Sequence, residues 1–111
     1  MKFKVAIFLF ISTIFADEST LAIGDKAPPI SLFKLESNKY FRSKEFLGKK
    51  NLVVSFFATW CVPCAKEIPE LIKMSTEFED DFQFVLVDVE EKRDVVRKYI
   101  KKNEIPIQVI W

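Results

Sequence analysis

The clearest hydrophobic pattern lies in the middle of the chain. Residues 52–57 form a nearly continuous apolar run, Leu-Val-Val-Ser-Phe-Phe, interrupted only by a small Ser55 and opened by the polar Asn51. A run of this length, rich in β-branched and aromatic residues, predicts a fully buried central strand. A second such run, Phe-Gln-Phe-Val-Leu-Val-Asp-Val at 82–89, predicts another strand after a turn at Asp80 and Asp81. Ile107-Gln-Val-Ile-Trp111 predicts a third. Between these runs the apolar positions recur at the helical spacing of 3.6. Ile68, Leu71, Ile72, Ser75 and Phe78 share one face of a helix that follows the first run, with Pro69 expected to kink it. Val95, Val96, Tyr99 and Ile100 form the stripe of a second helix over residues 91–103, with Asn103 as its C-cap. Strand, helix, strand, helix, strand in that order implies parallel strands joined by crossover helices, an α/β architecture.

Upstream the signals are shorter. The pair Pro28-Pro29 forbids helix and sets an extended entry. Residues 31–35 predict a short strand, and Tyr40-Phe41-Arg42 predicts its hairpin partner. Ser43 is expected to cap a brief helical turn through Phe46 and Leu47, which Gly48 stops.

The first 16 residues follow a different rule. Lys2 and Lys4 precede an apolar run over 5–15, and Ala16 precedes the acidic Asp17 and Glu18. About 20 apolar residues are needed to span a bilayer, so this run reads as a secretory signal peptide cut after Ala16, or as an uncleaved N-terminal anchor. A single domain over 17–111 remains. It carries 15 basic and 16 acidic residues once Lys2 and Lys4 are removed from the full count of 17 and 16. Such a balance leaves no electrostatic footprint for nucleic acid. The absence of histidine excludes a His base, a His nucleophile and a His metal site. No cofactor is expected, and two cysteines alone make a poor zinc site.

Those two cysteines, Cys61 and Cys64, are the chemistry. A bridge across three residues constrains the unfolded chain too little to serve as a staple, so their spacing points to redox use. They follow a predicted strand and open a predicted helix, where free N–H groups and the positive dipole end stabilise a thiolate. Cys61, before the helix proper, is expected to attack. Cys64, one turn in, is expected to be more buried and to resolve the mixed disulfide. Val62-Pro63 between them offers no cation, and Pro63 offers no N–H. The thiolate pKa is therefore expected nearer ~7 than ~3.5, and the couple towards about −270 mV rather than −120 mV.

Several blocks resemble the thioredoxin-like superfamily, and within it the TlpA/ResA-type exported thiol–disulfide oxidoreductases. They are Gly24-Asp25-Lys26-Ala27-Pro28, Leu47-Gly48-Lys49, the stretch from Phe56 through Ala-Thr-Trp-Cys-Val-Pro-Cys to Glu67, and Ile105-Pro106. The resemblance covers residues 22–111 and implies a thioredoxin-like fold: a central mixed sheet with flanking helices. That fold normally continues with a further strand and a final helix, so the C-terminal strand and helix are expected to be missing here. Residues 107–111 would then present unpaired backbone and apolar side chains.

The resemblance also implies function. Family members reduce disulfides in proteins outside the cytoplasm, apocytochrome c among them, with electrons from a membrane thiol carrier. It casts Pro106 as a cis-proline facing the cysteine pair, with the Ile105 backbone pairing with substrate, Trp60 as an aromatic cover, and Pro63 as part of the substrate contact. Ser55 stands where many thioredoxins carry a buried Asp, and Val62 where some relatives carry Glu. No proton acceptor for Cys64 is therefore evident, and Glu67, one helical turn away, is the candidate relay. A peroxiredoxin-type peroxidase is the competing class. Its Pro-x-x-x-Thr-x-x-Cys loop would need Pro at Val54 and Thr at Ala58. A non-catalytic binding module on the same fold is the other alternative.

Overall fold

The structure, a computed structural model, describes residues 20–111. The expected signal segment, residues 1–16, lies outside them. Among the described residues no helix is long and apolar enough to cross a membrane.

Two short strands, β1 (Ser31–Phe33) and β2 (Tyr40–Arg42), form an antiparallel hairpin with Leu32 opposite Phe41. A single 3-10 turn follows at Ser43–Phe46. Ser43 does not cap it: Arg42 holds the cap position, and the Ser43 hydroxyl instead accepts from the Ile30 N–H at 2.9 Å, tying the turn to the entry segment. Gly48 then turns the chain with φ +72°, a left-handed geometry that a residue without Cβ adopts freely.

The core alternates as the periodicity predicts: β3 (Asn51–Phe57), α1 (Val62–Glu77), β4 (Phe82–Asp88), α2 (Arg93–Lys102) and β5 (Gln108–Ile110). The three strands are parallel, in the order β3-β4-β5, with Phe57 opposite Asp88 and Val85 opposite Gln108. Helix α1 runs unbroken past Pro69, and Asn103 caps α2, its side-chain amide donating to the Tyr99 carbonyl at 2.9 Å.

Side chains of β4 alternate between two apolar layers. Phe84 and Leu86 face a core with Ile68 and Leu71 of α1 and Val96 of α2. Val85 and Val87 face a second core with Phe41, Ile110, Leu32 and Phe46, supplied by the hairpin, β5 and the 3-10 turn. The sheet is therefore covered on both faces, which is why β4 reads as a continuous apolar run.

Three further expectations are corrected. The first concerns which strand is central. That strand is β4, not β3: residues 52–55 are only half-buried and Phe56 is 66% exposed, because among the described residues β3 has a partner along one edge alone. The second concerns residues 107–111, whose backbone is not left unpaired. Leu35 N–H donates to the Val109 carbonyl and Trp111 N–H to the Phe33 carbonyl, both at 2.9 Å, and Lys34 bridges antiparallel to Ile110. Strand β5 thus sits between β4 and the hairpin, joining both into one mixed arrangement, with Ile107, Val109 and Ile110 buried. The third concerns the stripe of α2, which is narrower than expected. Val96 is fully buried with Tyr99 and Ile100 packed against the core, whereas Val95, 100° around the helix, is exposed.

Candidate active site

Parallel strands bring the carboxyl ends of β3 and β4 to the same edge, and the cysteine loop leaves from there. Phe57 and Ala58 are buried and end the strand; Cys61 N–H donates to the Ala58 carbonyl at 3.1 Å and closes the turn. Cys61 is the N-cap of α1, in extended geometry (φ −80°, ψ 102°), and its sulfur accepts from the Cys64 N–H at 3.3 Å. Pro63 falls in the first helical turn, where its missing N–H removes no intrahelical bond. The first turn holds no acidic residue, so nothing there offsets the positive end of the helix.

The two sulfurs are bonded to each other, with the Cα atoms 5.3 Å apart: this is the oxidised form of the pair. Both cysteines are half-buried, so exposure alone does not separate them. Surroundings do. Cys64 packs against the main core and its sulfur lies 4.0 Å from the Phe56 carbonyl oxygen, while Cys61 stands outside that core at the helix tip.

Above the pair lies a shallow cleft of about 160 Å³, lined by Phe56, Phe57, Ala58, Trp60, Cys61, Cys64 and Val89. Its walls are almost wholly apolar. Trp60 is 75% exposed, so it is a wall of this cleft and not part of the core. Pro63 is also exposed, on the helix face beside the pair. A larger depression of about 580 Å³ lies elsewhere, between α2 and Pro106, and neither cysteine lines it.

The remaining expected residues are not brought to the pair. The structure contains no cis peptide bond among the described residues, so Ile105–Pro106 is trans, contrary to the cis geometry that the resemblance implies. Nor does Pro106 face the cysteine pair, and the reason for that is topological. The strand after Pro106 runs parallel to β4, with Gln108 opposite Val85, so Pro106 lies towards the amino end of the sheet, beside Lys50, Phe82 and Gln83. The cysteines are at the carboxyl end. Ile105 is buried in the main core, and its N–H donates to the Ile100 carbonyl at 3.1 Å. Glu67 is exposed on α1 and is not among the residues lining the cleft.

What the sequence reading missed is a cluster at the end of β4. Asp88 is buried, 7% exposed, and its Oδ1 accepts from the Glu91 N–H at 3.0 Å. Burial, reinforced by the hydrogen bond and charge of Glu91, raises its pKa from 3.8 to about 6 against the pull of backbone N–H groups. Burial acts to raise Glu91 as well, but its bonds from Thr59 and Asp88 outweigh that and hold it below the usual carboxylate range. The Glu91 carboxylate accepts from both the N–H and the hydroxyl of Thr59, each at 2.5 Å, two residues before Cys61. An acid ending an apolar run could have flagged Asp88; no local signal links Glu91 to a residue 32 positions earlier. Among the described residues no cluster of His, Cys, Asp or Glu is arranged to hold a metal ion.

Relatives share this core. The ResA thiol-disulfide oxidoreductase of Bacillus cereus is 28% identical over 103 residues, covering 92% of this chain and 58% of that protein. A thioredoxin-family thiol:disulfide interchange protein from Chlorobium tepidum has a crystal structure that superposes with a TM-score of 0.67 at 35% identity, over 76% of this chain and 57% of its own. The thioredoxin domain of a Bacteroides vulgatus thiol-disulfide oxidoreductase gives 0.73 at 27% identity, over 82% and 64%. The chain thus spans less than two thirds of the length of each of these three relatives, and the shared part is the thioredoxin-like fold. The model of the AhpC/TSA family matches residues 23–111, nearly all of the described chain, and the protein belongs to that family.

Proposed function

We propose that this protein is an exported thiol–disulfide oxidoreductase that reduces disulfides in proteins outside the cytoplasm. One observation carries the reading: the Cys61–Cys64 disulfide sits at the N-terminus of a helix, with one sulfur at the tip and the other against the core. In the reduced form the Cys61 thiolate attacks a substrate disulfide, forming a mixed disulfide and expelling one substrate thiolate. The Cys64 thiolate then attacks the Cys61 sulfur, expelling the second substrate thiolate and leaving the bonded pair. Two electrons pass to the substrate, which takes up two protons. A dithiol donor must re-reduce the pair, and for an exported protein a membrane thiol carrier fits that role.

The apolar cleft suits a substrate segment with apolar residues flanking its disulfide. The names of the oxidoreductase relatives support the exchange reaction. Export is supported by the pattern of residues 1–16. A peroxidase reading is disfavoured by Val54 and Ala58, and the Thr59 hydroxyl donates to Glu91.

Insulin-disulfide reduction by the full chain tests the reaction. The parent is expected to reduce insulin and Cys61→Ser to lose all of that activity; a Cys61→Ser variant as active as the parent would sink the mechanism. A glutathione titration tests the direction, and a potential above about −150 mV would make the pair an oxidant. Cell fractionation tests export, and a cytosolic protein would overturn that part.

A further inference from the structure

The turn after β4 carries features that disulfide exchange does not by itself require. Asp88 is buried, yet among the described residues only one of its carboxyl oxygens has a partner; Oδ2 has none. Glu90 has φ 59°, a left-handed conformation that is strained for a residue with a side chain. Together these set the direction of the next residue. Asp88 Oδ1 holds the Glu91 N–H from one side, and the Glu91 carbonyl accepts from the Trp111 indole N–H at 2.6 Å. The Glu91 carboxylate then reaches across to the cysteine loop, where both of its oxygens are used on Thr59. Because those bonds hold its pKa down, Glu91 is ionised at neutral pH and can accept both.

We propose that Glu91 is a positioning residue for thiol–disulfide exchange: its carboxylate clamps Thr59 and so fixes where the Cys61 sulfur sits relative to the N-terminus of α1. The inference rests on the exchange reading above and deepens it. Cys61 is the cap: the helix holds only its carbonyl, which accepts from the Ala65 N–H at 3.1 Å, while its extended backbone makes the preceding loop set where the sulfur points. Its sulfur is useful only while it stays near the free N–H groups, of which the Cys64 N–H is 3.3 Å away. Helix-end stabilisation of a thiolate falls off within one turn, so a loop free to drift would lose it. A left-handed backbone at Glu90 and a half-satisfied buried acid at Asp88 persist only where the surrounding structure holds them in place, and such features cluster at functional sites.

Two variants separate the clamp from the charge. Glu91→Gln keeps an oxygen for the Thr59 N–H and an amide that can face the hydroxyl; Glu91→Ala keeps neither. Both lack the charge, so any difference between them reports the clamp. The probe is alkylation of reduced Cys61 by iodoacetamide across pH, with insulin reduction measured alongside. Glu91→Ala is expected to alkylate with a midpoint about half a pH unit or more above that of Glu91→Gln. Its insulin reduction is expected to fall about tenfold, with Glu91→Gln within about threefold of the parent. Equal midpoints and equal rates in the two variants would overturn the proposal. If Glu91→Ala does not fold, Thr59→Val removes the hydroxyl bond alone; it should raise the midpoint by a smaller amount, and a midpoint identical to the parent's would overturn the proposal. Should the parent reduce no insulin while the midpoints still separate, the exchange reading fails and the clamp stands. Should the parent be active while the midpoints coincide, the clamp alone fails.

Discussion

Replacing Asp88 with Asn should make the protein more stable at neutral pH and leave it nearly unchanged in mild acid. The folded state raises the Asp88 pKa from 3.8 to about 6, with burial the largest cause. Between those values the native protein holds a proton that the unfolded chain has lost. This group's contribution to stability is therefore fully present below about pH 4 and is lost as pH rises through 6. A shift of that size is worth on the order of 3 kcal/mol once the group is ionised. Asn stays neutral at every pH, has nearly the same shape, and keeps an oxygen for the Glu91 N–H. It also places a donor where Oδ2 has no partner, and orienting that donor offsets part of the gain. The net expectation at pH 7.5 is on the order of 2 kcal/mol in favour of Asp88→Asn, most of which disappears by pH 4. Glu91 works in the opposite sense. Its folded pKa is depressed, so its contribution is present above its ordinary value of 4.5 and is lost as pH falls through the depressed one. The parent's own profile is thereby flattened; because the Asp88 side chain also helps hold Glu91 low, the difference between parent and variant reports the coupled pair, with Asp88 the larger part above about pH 5. Urea unfolding followed by circular dichroism at the two pH values measures it. A variant less stable than the parent at pH 7.5, or a gap equal at both pH values, would refute the reasoning.

Two further outcomes are expected. Cys64→Ser should trap the mixed disulfide through Cys61, seen as a non-reducing adduct with a model disulfide substrate by mass spectrometry; the Cys61→Ser protein should form none. Leu86→Ala empties the middle of the central strand, where Leu86 is 1% exposed, and should cost about 3 kcal/mol in urea unfolding without altering the alkylation of reduced Cys61.

Much of the architecture was legible because the physics behind it is local. The apolar runs at 52–57 and 82–89, the 3.6 spacing after Cys64 and the cap at Asn103 each act within a few residues, and the corresponding elements form where the spacing places them. The cysteine pair was legible for the same reason: strand, loop and helix start are contiguous, so the position of Cys61 at the helix tip follows from order alone. The hairpin of residues 31–33 with 40–42 and the parallel sense of the core strands also form as expected; what failed was the inference about which core strand is central and whether the last strand is paired. A continuous apolar run says that a strand is covered on its faces, not which strand occupies its edges. Residues 52–57 read as central and stand at an edge, while residues 107–111 read as unpaired and are held between β4 and the hairpin.

The sequence by itself determined a parallel α/β core with a thiol pair at a helix N-terminus, and with it the polarity of the pair, Cys61 at the tip and Cys64 one turn in. Tertiary structure decided what surrounds that pair. It placed Pro106 towards the other end of the sheet, left Glu67 in solvent, and brought Glu91 across to Thr59 from 32 residues away. The physical reason is one of range. Capping, periodicity and helix-end electrostatics act within a turn or two of chain, whereas strand pairing and a buried carboxylate's choice of partner depend on which distant segments folding brings within hydrogen-bond distance.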